Sequence, residues 1–203
     1  MVDVAAIQAL LKKNFDIIGT IHVDPETGVV DVEGGVVDMK PMLKMSVQFG
    51  TVTGSFLCSE SRLESLMGSP HTVGKDFGCA KNRLTSLEGG PKWVGGGFWC
   101  SNNQLTSLVG APDHVGRSLQ INGNPLKSLD GMPVELKGQV WLDYNRDLPL
   151  LNLIELEAGF MLSYAPDKVS AILKSYAPTK SILKVIECGV ALKDAGYAAN
   201  AQM

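Results

Sequence analysis

Side chains suited to catalysis or metal binding are few and dispersed in this chain of 203 residues. The three histidines stand in three different sequence contexts, at His22, His71 and His114. None belongs to a His-Glu-x-x-His motif, and the chain has no Cys-x-x-Cys motif, two spacings that commonly indicate a zinc site. The sequence therefore predicts no metal centre.

A glycine-rich stretch from Gly68 to Lys75 invites comparison with a phosphate-binding loop. That loop needs four residues between its glycines and a Ser or Thr after its lysine. Here five residues separate Gly68 from Gly74, and Asp76 follows Lys75. Since the sequence also lacks a nucleophile with a base, paired carboxylates and a ligand cluster, we predict no enzyme activity, no cofactor and no small-molecule substrate.

Three of the cysteines are evenly spaced, because Cys58, Cys79 and Cys100 are each 21 residues apart. Three thiols at one spacing could bind a metal ion or form a disulfide. However, Ile121 and Leu142 continue the same series as plain hydrophobic residues. A buried cysteine behaves as a small apolar side chain, so the series favours packing in a core.

The 21-residue spacing extends through much of the chain, which is the sequence signature of a repeat protein. The recurring residues are Leu63, Leu84, Leu105 and Leu126; Leu66, Leu87, Leu108 and Leu129; Gly68, Gly89, Gly110 and Gly131; and Pro70, Pro91, Pro112 and Pro133. A further apolar series precedes the cysteine series by two residues and consists of Phe56, Phe77, Phe98, Leu119 and Val140.

Apolar residues at i and i+2 have the period of a strand, so Phe-x-Cys predicts one short strand in each coil with both side chains inward. Three residues after each member of the cysteine series lie Ser61, Asn82, Asn103, Asn124 and Asn145. An amide at a turn can bond the backbone of its own coil and of the neighbouring coil. The Gly-x-Pro stretch predicts a second turn on the opposite side.

The coil Phe98-Trp-Cys-Ser-Asn-Asn-Gln-Leu-Thr-Ser-Leu resembles the leucine-rich repeat core L-x-L-x-x-N-x-L, whose period is 20 to 29 residues. More narrowly, it is similar to the leucine-rich repeats of uncharacterised tailed-bacteriophage proteins. The resemblance implies a single-domain α/β solenoid with a parallel strand ladder over residues 35–146. A degenerate first coil is included, with Val37, Met42, Met45 and Val52 in the inward series, and the pattern is broken at Lys40 and Pro125.

A solenoid needs covered ends. Residues 1–34 predict an N-terminal cap, in which a helix N-capped by Asp3 precedes a β-hairpin. Residues 147–203 predict a helical C-terminal cap, with helices beginning near Pro149 and Pro166 and a further helical run over residues 181–195. We expect residues 198–203 to be frayed.

If Phe-x-Cys points inward, the residue between points outward, and Trp99 and Trp141 lie in one outward row. Exposed aromatics flanked by polar side chains are typical of protein-binding surfaces. Two alternatives remain open: the C-terminal cap or a dimer partner covers Trp141, or both tryptophans are exposed without a binding role. Trp93 is expected to pack at a turn. The predicted partner-binding residues are Leu57, Ser59, Asp76, Lys81, Trp99, Asn102, Gln120, Asn122, Trp141, Asp143 and Tyr144.

Composition excludes several classes of partner. The net charge is −3 and the basic residues are spread from Lys12 to Lys193, which argues against nucleic-acid binding. The sequence has no run of about 18 apolar residues, the length that would predict a membrane span. The first residues lack the basic and apolar regions of a signal peptide. We therefore expect a cytoplasmic protein that is not secreted, located in the bacterial host if a phage encodes it.

These observations and the resemblance together predict a non-enzymatic protein–protein recognition module, encoded by a phage. It would bind and sterically inhibit a bacterial host or defence protein through a concave sheet face. The alternative is a structural, self-assembling accessory virion protein, a homo-oligomer in which the hairpin edge or the helical cap joins two copies.

Overall fold

The 21-residue period builds a parallel-strand β-solenoid of about six coils, to which a few helices are attached. The computed structural model describes residues 2–203. Helix α1 (Val4–Asn14) comes first, and the Oδ1 atom of Asp3 accepts a hydrogen bond from the N–H of Ala6 at 2.9 Å, as the capping prediction requires. Strands β1 (Phe15–Val23) and β2 (Val30–Met39) then pair antiparallel as the expected hairpin.

Each regular coil contributes two short strands, so the prediction of one strand per coil is wrong. The first strands form a parallel ladder, here called ladder A: β3 (Phe49–Val52), β5 (Thr72–Val73), β7 (Trp93–Val94), β9 (His114–Val115) and β11 (Glu135–Leu136). The second strands form ladder B: β4 (Phe56–Leu57), β6 (Phe77–Gly78), β8 (Phe98–Trp99), β10 (Leu119–Gln120), β12 (Val140–Asp143) and β13 (Phe160–Ser163).

A bend separates the two strands of a coil, and in the middle coils glycine is required there. A Cβ atom on Gly74 would overlap the carbonyl oxygen of Thr53 in the preceding coil, and one on Gly95 would overlap that of Gly74. The bends of successive coils therefore stack in direct backbone contact.

Both ladders start from the single long strand β2. Val30 of β2 pairs with Phe49 of ladder A, and Val36 pairs with Phe56 of ladder B. This first step in ladder B is 20 residues, one fewer than the repeat. As a result Val36 is buried and Val37 is exposed, so the prediction that Val37 points inward is wrong.

The inward series predicted from the period fill the interior. The leucine and cysteine series are buried from Cys58 to Leu142. Three phenylalanine rings of ladder B stack in parallel, Phe56 on Phe77 at 5.6 Å between centroids and Phe77 on Phe98 at 5.4 Å. Burial of this kind, at about 25 cal/mol per Å² of apolar surface, is the main stabilising contribution to such a fold.

The asparagine series bonds the backbone of adjacent coils, as predicted. The Nδ2 group of Asn103 donates to the carbonyls of Cys79 at 3.0 Å and of Cys100 at 3.1 Å, and its Oδ1 accepts from the N–H of Leu84 at 3.1 Å. Asn82 and Asn124 make the equivalent bonds. These side chains satisfy backbone groups that the bend would otherwise leave buried and unpaired.

The C-terminal segment contains helices and one further strand. Its elements are a 3-10 helix (Leu151–Glu155), β13, α2 (Asp167–Tyr176), α3 (Ile182–Asp194) and a 3-10 helix (Ala199–Ala201). Pro166 stands at the N-cap of α2, as expected, whereas the helix expected near Pro149 is a single 3-10 element. No strand was expected here, yet β13 extends ladder B.

The end of the chain is also more ordered than expected. Asn200 is fully buried, and its Nδ2 group donates to the carbonyls of Asn145 at 3.1 Å and of Leu148 at 2.7 Å. The expectation of fraying over residues 198–203 is therefore wrong for Asn200 and its neighbours. Among the helices of residues 2–203, none has the length and apolar character needed to cross a membrane.

Candidate functional site

The outward-pointing residues of ladder B lie in register on adjacent strands, as the period predicted. We call them the outer row of ladder B. They are the predicted residues Leu57, Gly78, Trp99, Gln120 and Trp141, and in addition Met161 of β13, which the period did not predict. Adjacent members are one strand spacing apart, about 4.8 Å.

Trp99 lies flat on the sheet instead of standing out from it. Its indole covers two glycines: a Cβ on Gly97 would lie 2.5 Å from Nε1, and a Cβ on Gly78 would lie 3.6 Å from Cε3. The Nε1 group is buried and has no hydrogen-bond partner within residues 2–203. Trp99 therefore lies in the predicted outward row but is half-buried, because Gly78 and Gly97 leave space for its ring.

Trp141 is the exposed aromatic residue of the row, with 43% of its surface accessible. Met161 of β13 pairs with it in register and is 44% accessible. Together they form an apolar pair at the C-terminal end of the row, beside the half-buried Gln120. Met161 was missed because β13 follows β12 after 20 residues and carries none of the repeat motifs.

A second outward row lies two residues after the first. Its side chains are mostly polar, and some of them form hydrogen bonds to the adjacent coil. Ser59 Oγ accepts from the N–H of Ala80 at 3.1 Å. Ser101 Oγ donates to Asn122 Oδ1 at 2.7 Å, and Asp143 Oδ2 accepts from the N–H of Gly123 at 2.6 Å. Within residues 2–203, the amide N–H groups of Asn122 and the Oδ1 atom of Asp143 have no hydrogen-bond partner.

The remaining predicted site residues are more scattered. Asp76 lies at the bend between the ladders, where its Oδ1 accepts from the N–H of Gly97 at 2.8 Å. Lys81 forms an exposed ion pair with Glu60 at 2.7 Å, and Asn102 is an exposed residue with φ of 56°. Tyr144 is half-buried and donates its hydroxyl hydrogen to Asn200 Oδ1 at 3.0 Å. Leu57, also half-buried, begins the outer row at the other end of the ladder.

Ladder A presents a different outward surface. Trp93 is 40% accessible and stacks on His114, with ring centroids 5.0 Å apart and planes 7° apart. His114 Nδ1 lies 2.8 Å from Glu135 Oε2, and this hydrogen bond, followed by one from Lys137, lowers the pKa of Glu135. Trp93 was expected at a turn, so that expectation is wrong: it lies in strand β7.

The interior offers little reactivity. Burial raises the pKa of the Cys58, Cys79 and Cys100 thiols, which keeps them protonated, whereas the thiolate is the nucleophile and the metal ligand. Within residues 2–203, no group of three or more His, Cys, Asp or Glu side chains is placed to hold a metal ion.

Comparison of the chain with protein-family models, with curated proteins and with solved structures finds no match.

Proposed function

We propose that this chain is a non-enzymatic recognition protein that binds a protein partner through the outer row of ladder B. The observation that carries the proposal is the exposed apolar pair Trp141 and Met161, flanked by Gln120 and by Asp143, whose Oδ1 atom accepts no hydrogen bond within residues 2–203. Exposed aromatic and methionine side chains with polar neighbours are enriched at protein interfaces.

The rigidity of the row supports the same proposal. Trp141 and Met161 stand on paired strands whose alternate residues, Val140, Leu142 and Phe160, are buried in the core. A surface fixed in this way loses little conformational freedom on binding, which favours affinity. Occupation of a partner's own site by this rigid surface would inhibit that partner sterically.

We also propose that the coils are leucine-rich repeats, that ladder B lies on their concave face and that residues 1–34 and 147–203 are caps. The bonds of Asn103 to two coils support the repeat identity. Leu11 of α1 and Leu173 and Leu192 of α2 and α3 are buried in the same core as the coils, which supports the cap assignments. The phage origin, the bacterial cytoplasm and a host or defence protein as target rest on the resemblance of the coil sequence to tailed-phage repeats.

The experiment is a capture from bacterial lysate followed by direct titration of the captured protein after purification. Three baits are compared: the wild type, Trp141→Ala, and Trp93→Ala as a matched exposed tryptophan on ladder A. We expect one protein to be retained by the wild type and by Trp93→Ala, and its affinity to fall about 30-fold or more with Trp141→Ala, as at a binding hot spot.

Equal affinity of Trp141→Ala and the wild type for the captured protein would overturn the proposal. Loss of binding with Trp93→Ala alone would move the binding surface to ladder A. Thermal unfolding of all three proteins shows whether each variant is folded.

A further inference from the structure

The last strand of ladder B has an open edge. In each earlier rung the N–H of the buried leading residue donates to the next coil, from Phe77 to the carbonyl of Gly97 and from Val140 to that of Gly159, for example. β13 pairs with β12 on one side and with no strand of residues 2–203 on the other. By the same pattern, the N–H and C=O groups of Phe160 and Leu162 face outward from this edge.

A cavity of about 320 Å³ adjoins the Phe160 end of the strand. Its apolar lining comes from Leu156, Phe160, Met161 and Pro178, and Lys174 of α2 supplies a positive charge. The cavity therefore suits an aromatic side chain with a polar tip or a nearby negative charge.

The opposite end of strand β13 carries an exposed tyrosine and, three residues further on, an exposed aspartate. Tyr164 directly follows β13 and is 88% accessible, with a φ of 60° that turns it out of the strand. Asp167, three residues later, is exposed at the start of α2. Neither Lys174 nor Asp167 takes part in an ion pair within the described part of the chain.

We propose that two copies of this chain form a two-fold dimer through their β13 edges, paired antiparallel about Leu162. Leu162 would then exchange two backbone hydrogen bonds with Leu162 of the second copy. The same symmetry places Tyr164 of the second copy beside Phe160, where its ring enters the cavity, and brings Asp167 of the second copy toward Lys174. Because the cavity and the tyrosine lie at opposite ends of one strand, a single two-fold axis fills both cavities.

The pairing places Met161 opposite Ser163 of the second copy, on the outward side of the sheet. This register gives a specific way to break and restore the dimer. Lysines at positions 161 and 163 of both copies would face each other across the two-fold axis and repel. Lysines on one copy and glutamates on the other would attract. A four-residue edge is a small interface, so we expect association to be weak and dependent on concentration. This edge shares Met161 with the proposed recognition surface, whereas Trp141 lies one strand away from the edge, on β12.

The experiment is sedimentation velocity over roughly a hundredfold range of protein concentration. We expect the wild type to dimerise and Trp141→Ala to dimerise equally, which separates this surface from the proposed recognition row. Met161→Lys/Ser163→Lys and Met161→Glu/Ser163→Glu should each stay monomeric, and an equimolar mixture of the two should form heterodimers. Tyr164→Ser should raise the dimer dissociation constant about tenfold or more by leaving the cavity empty.

A wild type that stays monomeric throughout the range overturns the proposal. So does a lysine or glutamate variant that dimerises like the wild type, or a mixture that fails to form heterodimers. The exposed apolar side chains of α3 provide the matched control, and loss of the dimer in Ile186→Lys, with the edge variants unaffected, would assign the interface to that helix.

Discussion

The middle coils and the C-terminal end of the solenoid satisfy their buried backbone groups in different ways. In the middle, Asn103 bonds carbonyls of two successive coils and one N–H group, all within 24 residues of the chain. At the end, the Nδ2 group of Asn145 donates to the carbonyl of Leu126 and to no other group of residues 2–203, while its Oδ1 accepts from the backbone N–H of Asp147. Asn200, 55 residues later, donates to the carbonyl of Asn145.

This difference shows that one periodic asparagine is enough to bond the buried backbone groups of a bend as long as another coil follows. Where the repeat stops, Asn200, which is distant in sequence and belongs to no repeat, bonds the carbonyls of Asn145 and Leu148. The middle coils should therefore be sensitive to changes within the period, and the end to changes in a residue that belongs to no repeat.

The largest expected effect is at the middle. Asn103→Ala leaves the buried N–H of Leu84 without a partner and leaves the carbonyls of Cys79 and Cys100 with one asparagine donor each instead of two, so we expect the free energy of unfolding to fall by about 2–3 kcal/mol. Urea unfolding measures it. Asn102→Gly is the adjacent control, since Asn102 is exposed and glycine readily adopts its positive φ. Equal losses in both variants would contradict the role given to the asparagine series.

Asn200→Ala should have a smaller and local effect. It removes two bonds to the backbone and the acceptor for the Tyr144 hydroxyl, but water can reach the end of the solenoid once it opens. We expect a loss of about 1–2 kcal/mol. Hydrogen exchange should become faster over residues 145–203 and stay unchanged in the middle coils. Uniformly faster exchange throughout the chain would show that the two regions are not independent.

The two tryptophans of the outer row repeat the contrast on the surface. Trp99 covers Gly78 and Gly97 in the middle coils, whereas Trp141 is exposed near the end. Trp99→Ala should lower the free energy of unfolding by about 1 kcal/mol, and Trp141→Ala should change it by less than about 0.5 kcal/mol. Thermal and urea unfolding measure both. A larger loss for Trp141→Ala than for Trp99→Ala would reverse the assignment.

The smallest expected effect concerns Glu135 at the end of ladder A. The hydrogen bonds from His114 and then Lys137 lower its pKa, so its stabilising contribution is present above the ordinary glutamate value and is lost as the pH falls through the lowered pKa. Glu135→Gln should slightly lower the Tm at pH 7, and this difference should vanish in acid, once the pH lies below the lowered pKa of Glu135. A difference that persists in acid would mean that packing, and not charge, explains it.

Much of the interior could be predicted from the sequence because the repeat fixes it. A period of 21 places the members of the leucine and cysteine series, and Asn82, Asn103 and Asn124, in equivalent environments, so one correct coil predicts the others. The ladder A strand of each coil was missed because a strand such as Thr72–Val73 is too short to show alternation, and its pairing depends on neighbouring coils.

The candidate site was harder to predict for a similar reason. The row containing Trp99 and Trp141 follows from the period, but the orientation of Trp99 depends on Gly78 in a different coil and on Gly97. β13 and Asn200 belong to no repeat, and their positions are fixed by contacts across tens of residues. Local patterns carry no information on such contacts.

Both ladders start from the single strand β2, so the width of the solenoid and the number of its coils are determined independently. Because β2 fixes the phase of both ladders, the cross-section is set once, before the first regular coil. A tandem duplication or deletion of 63 nucleotides within the regular coils would preserve that phase and change the length by one strand spacing, about 4.8 Å. The gene can therefore vary the size of its product in whole coils while leaving both ends unchanged.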